Sequence, residues 1–372
     1  MRKIRILQFP IANSNGGITH YALNNWKWMN KDAFQCDFAT MSRKLDFDDE
    51  IRATGSKIYY ISCYAEENEK QFRKEVREIL ANGYDVVHLH TKQWKSFIME
   101  ELCIECGVPK IIVHSHNTGI DTLDSKKRDF ETRLHEKTKK DFNTSLATDF
   151  WACSQLAADF LFGEQIPKDR IKIMHNAIDI NKFIYNEEIR NQYRKKYNLE
   201  DNFVIGNVAR FVYQKNHKFL IDIFAEVIKI VPKAKLILLG DGEVKIDIEN
   251  KVKKLNIADK VLFLGKRDDV NNWYQAMDIF CLPSRFEGLP ISVIEAQTAG
   301  LKCIVSNTVS EETKLTDNIQ LLSVEKDLWV KETVQWHAGY NRLDTRKQLA
   351  DKGYDISEQI KKIEVLYSDF QV

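Results

Sequence analysis

The stretch DIFCLPSRFEGLPISVIEAQTAGLKCIVS, residues 278–306, reads as a complete strand, loop, helix and strand. An apolar run of strand length at 279–282 is stopped by Pro283, and a turn follows at Glu287-Gly288. Apolar residues then recur at helical spacing from Ile291 to a second turn at 299–300, and the apolar run 303–305 comes directly after it. The pattern predicts a βαβ unit of a parallel sheet. Its loop and helix N-terminus should lie beyond the carboxyl ends of the strands, where open α/β sheets bind ligands.

Two carboxylates, Glu287 and Glu295, lie eight positions apart across this loop and helix. Along a continuous helix that separation is roughly 12 Å. It exceeds the roughly 5 to 10 Å over which two carboxylates cooperate in cleaving one glycosidic bond. The spacing suits carboxylates that accept hydrogen bonds from hydroxyls at two parts of one long ligand. A helix cap at Glu287 with a solvated Glu295 is the alternative, and spacing alone does not separate the two.

The composition describes a globular protein large enough for two domains. The 372 residues are 44% hydrophobic and 29% charged, and the net charge of +1 provides no general attraction for nucleic acid or membranes. Seven cysteines, an odd number, and no secretory signal segment indicate a reduced, cytoplasmic setting. No apolar run reaches the about 18 residues of a membrane-spanning helix.

Strand and helix patterns alternate outward from the opening stretch and predict an α/β fold with two Rossmann-like domains. The first strand, 4–9, is followed by a glycine turn at Gly16-Gly17 and a helix, an arrangement that lets backbone amides approach an anion. A plain tight turn is the alternative there. The polar, charged stretch 183–199 separates two strand-rich halves and predicts the linker between them.

Basic side chains follow the first strand of the second half, 203–208. Arg210 at the strand end and Lys215 just before a helix suit a diphosphate, because a guanidinium offers paired donors and an ammonium a point charge. Structural salt bridges are the alternative. The next strand, 235–239, runs into a glycine turn at Gly240, but the missing third glycine disfavours a dinucleotide fingerprint.

Two histidine pairs, His88/His90 and His114/His116, end consecutive predicted strands. Alternate strand residues share a face, so each pair could ligate zinc, but no third ligand with fitting spacing is evident. One histidine of the second pair is better explained as a neutral hydrogen-bond donor or acceptor for a ligand. Asp46-Phe47-Asp48 matches a metal-binding Asp-x-Asp by letter, yet no strand precedes it. The sequence therefore predicts a protein that needs no metal.

The segment PSRFEGLPISVIEA, residues 283–296, resembles the E-x7-E segment of retaining, nucleotide-sugar-dependent glycosyltransferases of the GT-B fold, family 4 or glycosyl transferases group 1. The resemblance implies two Rossmann-like domains facing an interdomain cleft, an acceptor-side domain at 1–182 and a donor-binding domain at 200–354. In this family the last helix, here 355–372, packs back onto the first domain. Its apolar stripe would consist of Ile360, Ile363, Leu366, Tyr367 and Phe370.

The resemblance also implies roles for individual residues. Glu287 would contact the donor sugar, Glu295 the nucleotide ribose, and Arg210 and Lys215 the departing diphosphate. His116, with His114 as the fallback, would bind the donor sugar or the leaving phosphate. The remaining donor-site positions would be Gly16, Gly17, Gly240, Lys266, Gly288 and Leu289.

The segment VHSHNT at 113–118 and the stretch 278–306 resemble segments of bacterial enzymes of capsular and exopolysaccharide synthesis. It implies a UDP-sugar donor, a saccharide or lipid-linked saccharide acceptor, and no cofactor. The charged stretch 121–149 predicts either a solvated helix or a basic face for peripheral contact with the inner face of the membrane. A nucleotide-sugar epimerase, a dinucleotide oxidoreductase and a non-catalytic nucleotide-sugar-binding module are the rival functions.

Overall fold

A computed structural model of the chain describes residues 2–13 and 16–369. It divides into two compact units. The first comprises residues up to 120, 129–176 and the residues from 356 onward, and the second comprises 121–128 and 177–355. Each unit contains one parallel sheet with helices between its strands, so the predicted α/β class is confirmed.

Seven parallel strands form the sheet of the first unit in the spatial order β3-β2-β1-β4-β5-β6-β7. Their bounds are β1 (Ile4–Phe9), β2 (Phe34–Thr40), β3 (Ile58–Tyr60), β4 (Val86–Thr91), β5 (Lys110–Ser115), β6 (Asp149–Ala152) and β7 (Ile171–Ile173). The central strands β1, β4 and β5 are mostly buried, as expected of a parallel sheet covered on both faces, and their carboxyl-terminal halves include buried polar residues.

Six parallel strands form the sheet of the second unit in the order β10-β9-β8-β11-β12-β13. Their bounds are β8 (Phe203–Val208), β9 (Ala234–Leu239), β10 (Val261–Gly265), β11 (Ile279–Leu282), β12 (Lys302–Ser306) and β13 (Ile319–Leu322). Numbered within the unit this is the order 3-2-1-4-5-6 of doubly wound nucleotide-binding sheets.

Helices connect the strands in both units. In chain order they are α1 (Gly17–Trp28), α2 (Asp48–Arg52), α3 (Glu69–Leu80), α4 (Ile98–Glu105), α5 (Ser125–Lys139), α6 (Gln155–Leu161), α7 (Ile180–Phe183), α8 (Glu187–Lys196), α9 (His217–Ile230), α10 (Lys245–Lys254), α11 (Val270–Ala276), α12 (Ile291–Thr298), α13 (Lys326–Val334), α14 (Arg346–Asp351) and α15 (Ile356–Ser368). Within the described residues, no helix combines the length and apolar character needed to cross a membrane.

Each unit has its own apolar core. In the first, Trp26 of α1 and Phe38 of β2 pack with Ile360, Ile363 and Tyr367 of α15. The last helix therefore packs in the core of the first unit, and Phe370 of its predicted stripe lies outside the described residues. In the second unit, strand residues such as Ile205 and Leu236 pack against helix residues such as Phe224 and Trp329.

Two stretches of the second unit are held by contacts to Asp278. The stretch 183–199, predicted as a linker, contains α8, whose charges are held in place because Arg190 and Arg194 both pair with Asp278, at 2.5 and 3.0 Å. The helix after β13, α13, ends at Val334. Beyond it the chain turns, and the Tyr340 hydroxyl donates to the Asp278 carbonyl at 2.7 Å.

Candidate active site

The strand order of the second sheet reverses between β8 and β11. The chain leaves β8 toward β9 on one side, and it leaves β11 toward β12 on the other. Ligands bind at such a point because the two following loops diverge and leave a crevice. Arg210 and Lys215 lie in the loop after β8, and Glu287 lies in the loop after β11. The strand order thus places three of the predicted residues at one switch point.

Lys215 and Glu287 form a buried ion pair. Lys215 Nζ donates to Glu287 Oε1 at 2.5 Å, and the two side chains are only 13% and 7% exposed. Ser284 Oγ donates to the same carboxylate oxygen at 2.7 Å, and Gln214 Nε2 donates to Oε2 at 3.2 Å. Such a pair persists away from water only when further hydrogen bonds support it. Three donors therefore fix the orientation of the Glu287 carboxylate.

Arg210 has a carboxylate partner that sequence reasoning missed. Its Nη2 lies 3.5 Å from Asp121 Oδ2, and the backbone N–H of Gln214 donates to Asp121 Oδ1 at 3.0 Å. Both charged side chains are partly exposed, at 31% and 20%. A guanidinium beside a backbone amide is an arrangement that also suits a phosphate. Asp121 lies 89 positions from Arg210 in sequence, and no local pattern marks the contact.

Two glycines allow the loop after β9 to lie directly against the loop after β8. Gly240 and Gly242 have φ values of 135° and 153°. A Cβ on Gly240 would lie 2.0 Å from the Ala209 carbonyl oxygen. Only glycine fits such a conformation and such an approach. The Phe211 N–H donates to the Asp241 carbonyl at 2.9 Å, so the backbone is held next to Arg210.

Glu295 is buried on α12. The Tyr274 hydroxyl donates to Glu295 Oε2 at 2.8 Å. Burial raises the pKa of the Glu295 carboxyl to about 7, against a smaller lowering effect of the Tyr274 hydrogen bond. The carboxyl therefore changes charge near neutral pH, unlike an ordinary surface glutamate.

The other predicted donor-site residues lie on both units. In the second, Lys266 is exposed directly after β10, and Gly288 and Leu289 are buried in the loop before α12. In the first, Gly16 is the N-cap of α1 and Gly17 is its first residue. A Cβ added to Gly17 would meet nothing within 4 Å, so space does not require glycine there.

The four strand-end histidines form one buried group in the first unit. His90 Nδ1 lies 3.0 Å from His116 Nε2, and His88 Nε2 lies 3.0 Å from His114 Nδ1. His114 is fully buried and His116 is half-buried. Burial lowers the pKa of all four imidazoles, to about 3 for His90 and well below the ordinary value for the others. They are therefore neutral at physiological pH.

The sequence showed no third ligand beside either histidine pair, but the fold brings three of these histidines together. The parallel register aligns His90 with His114, and nitrogens of His88, His90 and His114 all lie within 4.8 Å of one another. Neutral imidazoles are the metal-binding form, so the donor set fits a cation in kind. Five of their six nitrogens make hydrogen bonds, and within the described residues His114 Nε2 is buried without one.

The Asp-x-Asp letters at 46–48 fall at a short helix. The Asp48 carboxylate accepts hydrogen bonds from Arg52 and from the Tyr60 hydroxyl, and Asp46 N–H donates to Asn13 Oδ1 at 2.7 Å. Asp48 is thus part of a local helix contact.

Two family models match this chain. "Glycosyltransferase Family 4" matches residues 15–182, and "Glycosyl transferases group 1" matches residues 189–335. EpsF of Bacillus subtilis (strain 168), provisionally named a glycosyltransferase, is 30% identical over 377 residues, 98% of this chain and 96% of that protein. The UDP-Gal:alpha-D-GlcNAc-diphosphoundecaprenol alpha-1,3-galactosyltransferase of Escherichia coli is 27% identical over 303 residues, 78% of this chain and 76% of that protein.

The fold is also similar to solved structures. HepE from Anabaena, crystallised with UDP and glucose, has a TM-score of 0.78 at 16% sequence identity, over 99% of this chain and 100% of that one. The predicted GT-B fold is therefore confirmed.

Proposed function

Because the chain belongs to the family 4 glycosyltransferases, glycosyl transferases group 1, we propose that it moves a hexosyl group from a UDP-sugar to a saccharide or lipid-linked saccharide, with retention of anomeric configuration. The observation that carries the proposal is the convergence of Arg210, Lys215 and Glu287 on one switch point. Two cations and an oriented carboxylate match the two ends of a sugar diphosphate.

Arg210 and Lys215 are the proposed diphosphate clamp. The C1–oxygen bond of the donor breaks with negative charge developing on the leaving diphosphate, and preorganised cations stabilise that charge without reorganising. In the free protein each cation has a carboxylate partner, Asp121 for Arg210 and Glu287 for Lys215. The donor would therefore enter a site whose cations are already oriented.

Glu287 is the proposed contact for the donor sugar. Its hydrogen bonds from Lys215, Ser284 and Gln214 use three of the about four acceptor positions of a carboxylate. A sugar hydroxyl can donate to the position that remains. The ion pair with Lys215 also disfavours Glu287 as a covalent nucleophile, because attack on the sugar would neutralise a charge that the pair stabilises.

The proposed course is attack by the acceptor hydroxyl on the same face from which the diphosphate leaves. The new bond joins C1 to the acceptor oxygen, and the leaving phosphate takes the hydroxyl proton. His116 would bind the donor from the first unit, because His114 is fully buried while His116 is half-buried. The amides near Gly16 and Gly17 at the start of α1 would lie beside the diphosphate.

The remaining donor-site residues have supporting roles in the proposal. Glu295 would accept hydrogen bonds from the ribose hydroxyls, and Gly240, Lys266, Gly288 and Leu289 would border the nucleotide and the sugar. The chemistry needs no metal, since Arg210 and Lys215 supply the positive charge.

The names of similar proteins support the choice of substrates. The E. coli relative is named for UDP-galactose and a diphosphoundecaprenol acceptor, and the Anabaena structure contains UDP and glucose. We infer a role in capsule or exopolysaccharide synthesis, in the cytoplasm and at the inner membrane face.

Donor turnover tests the proposal. The protein is incubated with UDP-glucose, UDP-galactose and their N-acetyl forms, with and without a lipid-linked saccharide extract, and UDP release is measured. Acceptor-dependent UDP release and an axial product linkage by NMR are expected, and Arg210→Ala should abolish both. Release of a free epimerised sugar without acceptor, or an inverted linkage, would contradict the proposal.

A further inference from the structure

His88, His90, His114 and His116 belong to two hydrogen-bond chains that share one residue, Gln8 of β1. The parallel registers place Gln8 beside His88 and His90 beside His114. Gln8 is 1% exposed, and its side-chain amide reaches both chains.

The first chain leads from the Gln8 amide nitrogen to His114. Gln8 Nε2 donates to the Tyr367 hydroxyl at 3.1 Å, and that hydroxyl lies 2.7 Å from His88 Nδ1. His88 Nε2 then lies 3.0 Å from His114 Nδ1.

The second chain leads from the Gln8 amide oxygen to His116. Gln8 Oε1 lies 2.7 Å from His90 Nε2, and His90 Nδ1 lies 3.0 Å from His116 Nε2. This chain ends on the histidine that the proposed function assigns to the donor.

A neutral imidazole has one N–H donor and one acceptor nitrogen, so the direction of the hydrogen bond at one nitrogen fixes the direction at the other. The Gln8 oxygen can only accept, and His90 therefore carries its proton on Nε2. His90 Nδ1 must then accept from His116 Nε2–H. His116 Nδ1 is left without a proton.

The first chain is less constrained. The Tyr367 oxygen accepts from the Gln8 amide, and because a hydroxyl oxygen has two acceptor positions it can either donate to His88 Nδ1 or accept from it. The tautomers of His88 and His114 are therefore not fixed by Gln8. Reversing the second chain, in contrast, requires the Gln8 amide to turn over.

We propose that Gln8 is a positioning residue that fixes His116 in the tautomer with a bare Nδ1, which can only accept a hydrogen bond. This inference rests on the proposed function, and it narrows that function. The family resemblance left open whether this histidine meets the donor sugar or the leaving phosphate. A bare Nδ1 matches a sugar hydroxyl, which donates, and not a phosphate oxygen, which accepts.

Zinc is the competing occupant of this group. Zn²⁺ would need nitrogen lone pairs of His88, His90 and His114 at about 2.0 to 2.1 Å. The His88–His114 hydrogen bond would have to break, and three buried neutral imidazoles offer the ion no compensating negative charge. The hydrogen-bond chains therefore explain the geometry better.

Long-range ¹H–¹⁵N NMR of ¹⁵N-histidine-labelled protein tests the tautomer directly, without substrate. Wild type should show His116 with a bare Nδ1 and a protonated Nε2. Gln8→Met, which keeps the volume but removes the amide, should show a mixture of tautomers at His90 and His116. Gln8→Glu, whose carboxyl oxygen still accepts from His90, should retain the wild-type His116 tautomer. A protonated Nδ1 in wild type, or nitrogen shifts caused by added Zn²⁺, would overturn the proposal.

Kinetics with the preferred UDP-sugar provide the second measurement. Gln8→Met should lower kcat by about tenfold, the effect of one lost neutral hydrogen bond, and should leave UDP affinity unchanged because UDP lacks the sugar. Gln8→Glu should keep most of the wild-type kcat. If the melting curve shows that Gln8→Met does not fold, NMR of wild type and the transfer rate of Gln8→Glu still test the role of Gln8. If NMR shows the predicted tautomers but the protein transfers no sugar, the proposed function is refuted while the role of Gln8 in fixing the His116 tautomer stands.

Discussion

The protonation of Glu295 should make donor binding depend on pH near neutrality. In the free protein burial raises its pKa to about 7, and Tyr274 already donates to one of its oxygens. Ribose hydroxyls donating to the carboxylate would favour the ionised form and lower that pKa in the complex. Binding therefore releases a proton below about pH 7, and affinity rises with pH.

The expected size follows from the ionised fraction. With a pKa of about 7, roughly one in ten free molecules is ionised at about pH 6 and roughly nine in ten at about pH 8. The affinity for a UDP-sugar should thus rise by about tenfold from about pH 6 to about pH 8, which is about 1.4 kcal/mol.

Isothermal titration of an intact UDP-sugar measures this dependence. The intact donor is preferable to UDP, whose terminal phosphate itself titrates in this range. Repeating the titration in two buffers of different ionisation enthalpy counts the released proton. Glu295→Gln, which keeps the shape without a titratable proton, should bind with the same affinity at both pH values. A wild-type affinity independent of pH, or a dependence that persists in Glu295→Gln, would show that the Glu295 carboxyl does not control donor binding.

Four further predictions concern the proposed donor site and its need for a metal. Asp121→Asn should tighten UDP binding by up to about fivefold, because it frees the Arg210 guanidinium from a partly exposed pair; weaker binding in titration would count against it. Lys215→Met should lower the melting temperature by leaving Glu287 buried without its cation, and adding Glu287→Gln should recover part of the loss; purely additive losses would argue against the pair. Gly240→Ala should melt at a clearly lower temperature, because its φ of 135° and a backbone oxygen 2.0 Å from the new Cβ both oppose alanine; an unchanged melting curve would contradict this. Transfer activity should survive a chelator; loss with EDTA that one divalent ion restores would show a metal requirement.

Local sequence patterns predicted the strands of both sheets well, because their period and their glycine or proline ends are local properties. The strand 279–282, its loop and the helix from Ile291 match β11 and α12 at nearly every boundary. The composition of 183–199 did not predict helix α8. Its charges resembled a solvated linker, but two of its arginines are fixed by the single carboxylate of Asp278.

Contacts between distant parts of the chain could not be predicted in the same way. Lys215 and Glu287 are 72 positions apart, and only the strand order brings their loops together. The sequence showed two histidine pairs but not their alignment, which depends on the register of β4 with β5. Nothing local connects Gln8 with Tyr367, 359 positions away.

Above all, we propose that the loops after β8 and β11 bind the nucleoside diphosphate of a sugar donor. Thermal-shift titrations with UDP, GDP, ADP and NAD test this binding in wild type, in Arg210→Ala and in a control, Arg346→Ala, whose exposed side chain pairs with the nearby Asp344. One nucleoside diphosphate, expected to be UDP, should stabilise wild type and the control by about 2.7 kcal/mol at a hundredfold excess over Kd. That stabilisation should vanish in Arg210→Ala. Stabilisation by NAD alone, or full stabilisation of Arg210→Ala, would contradict the claim.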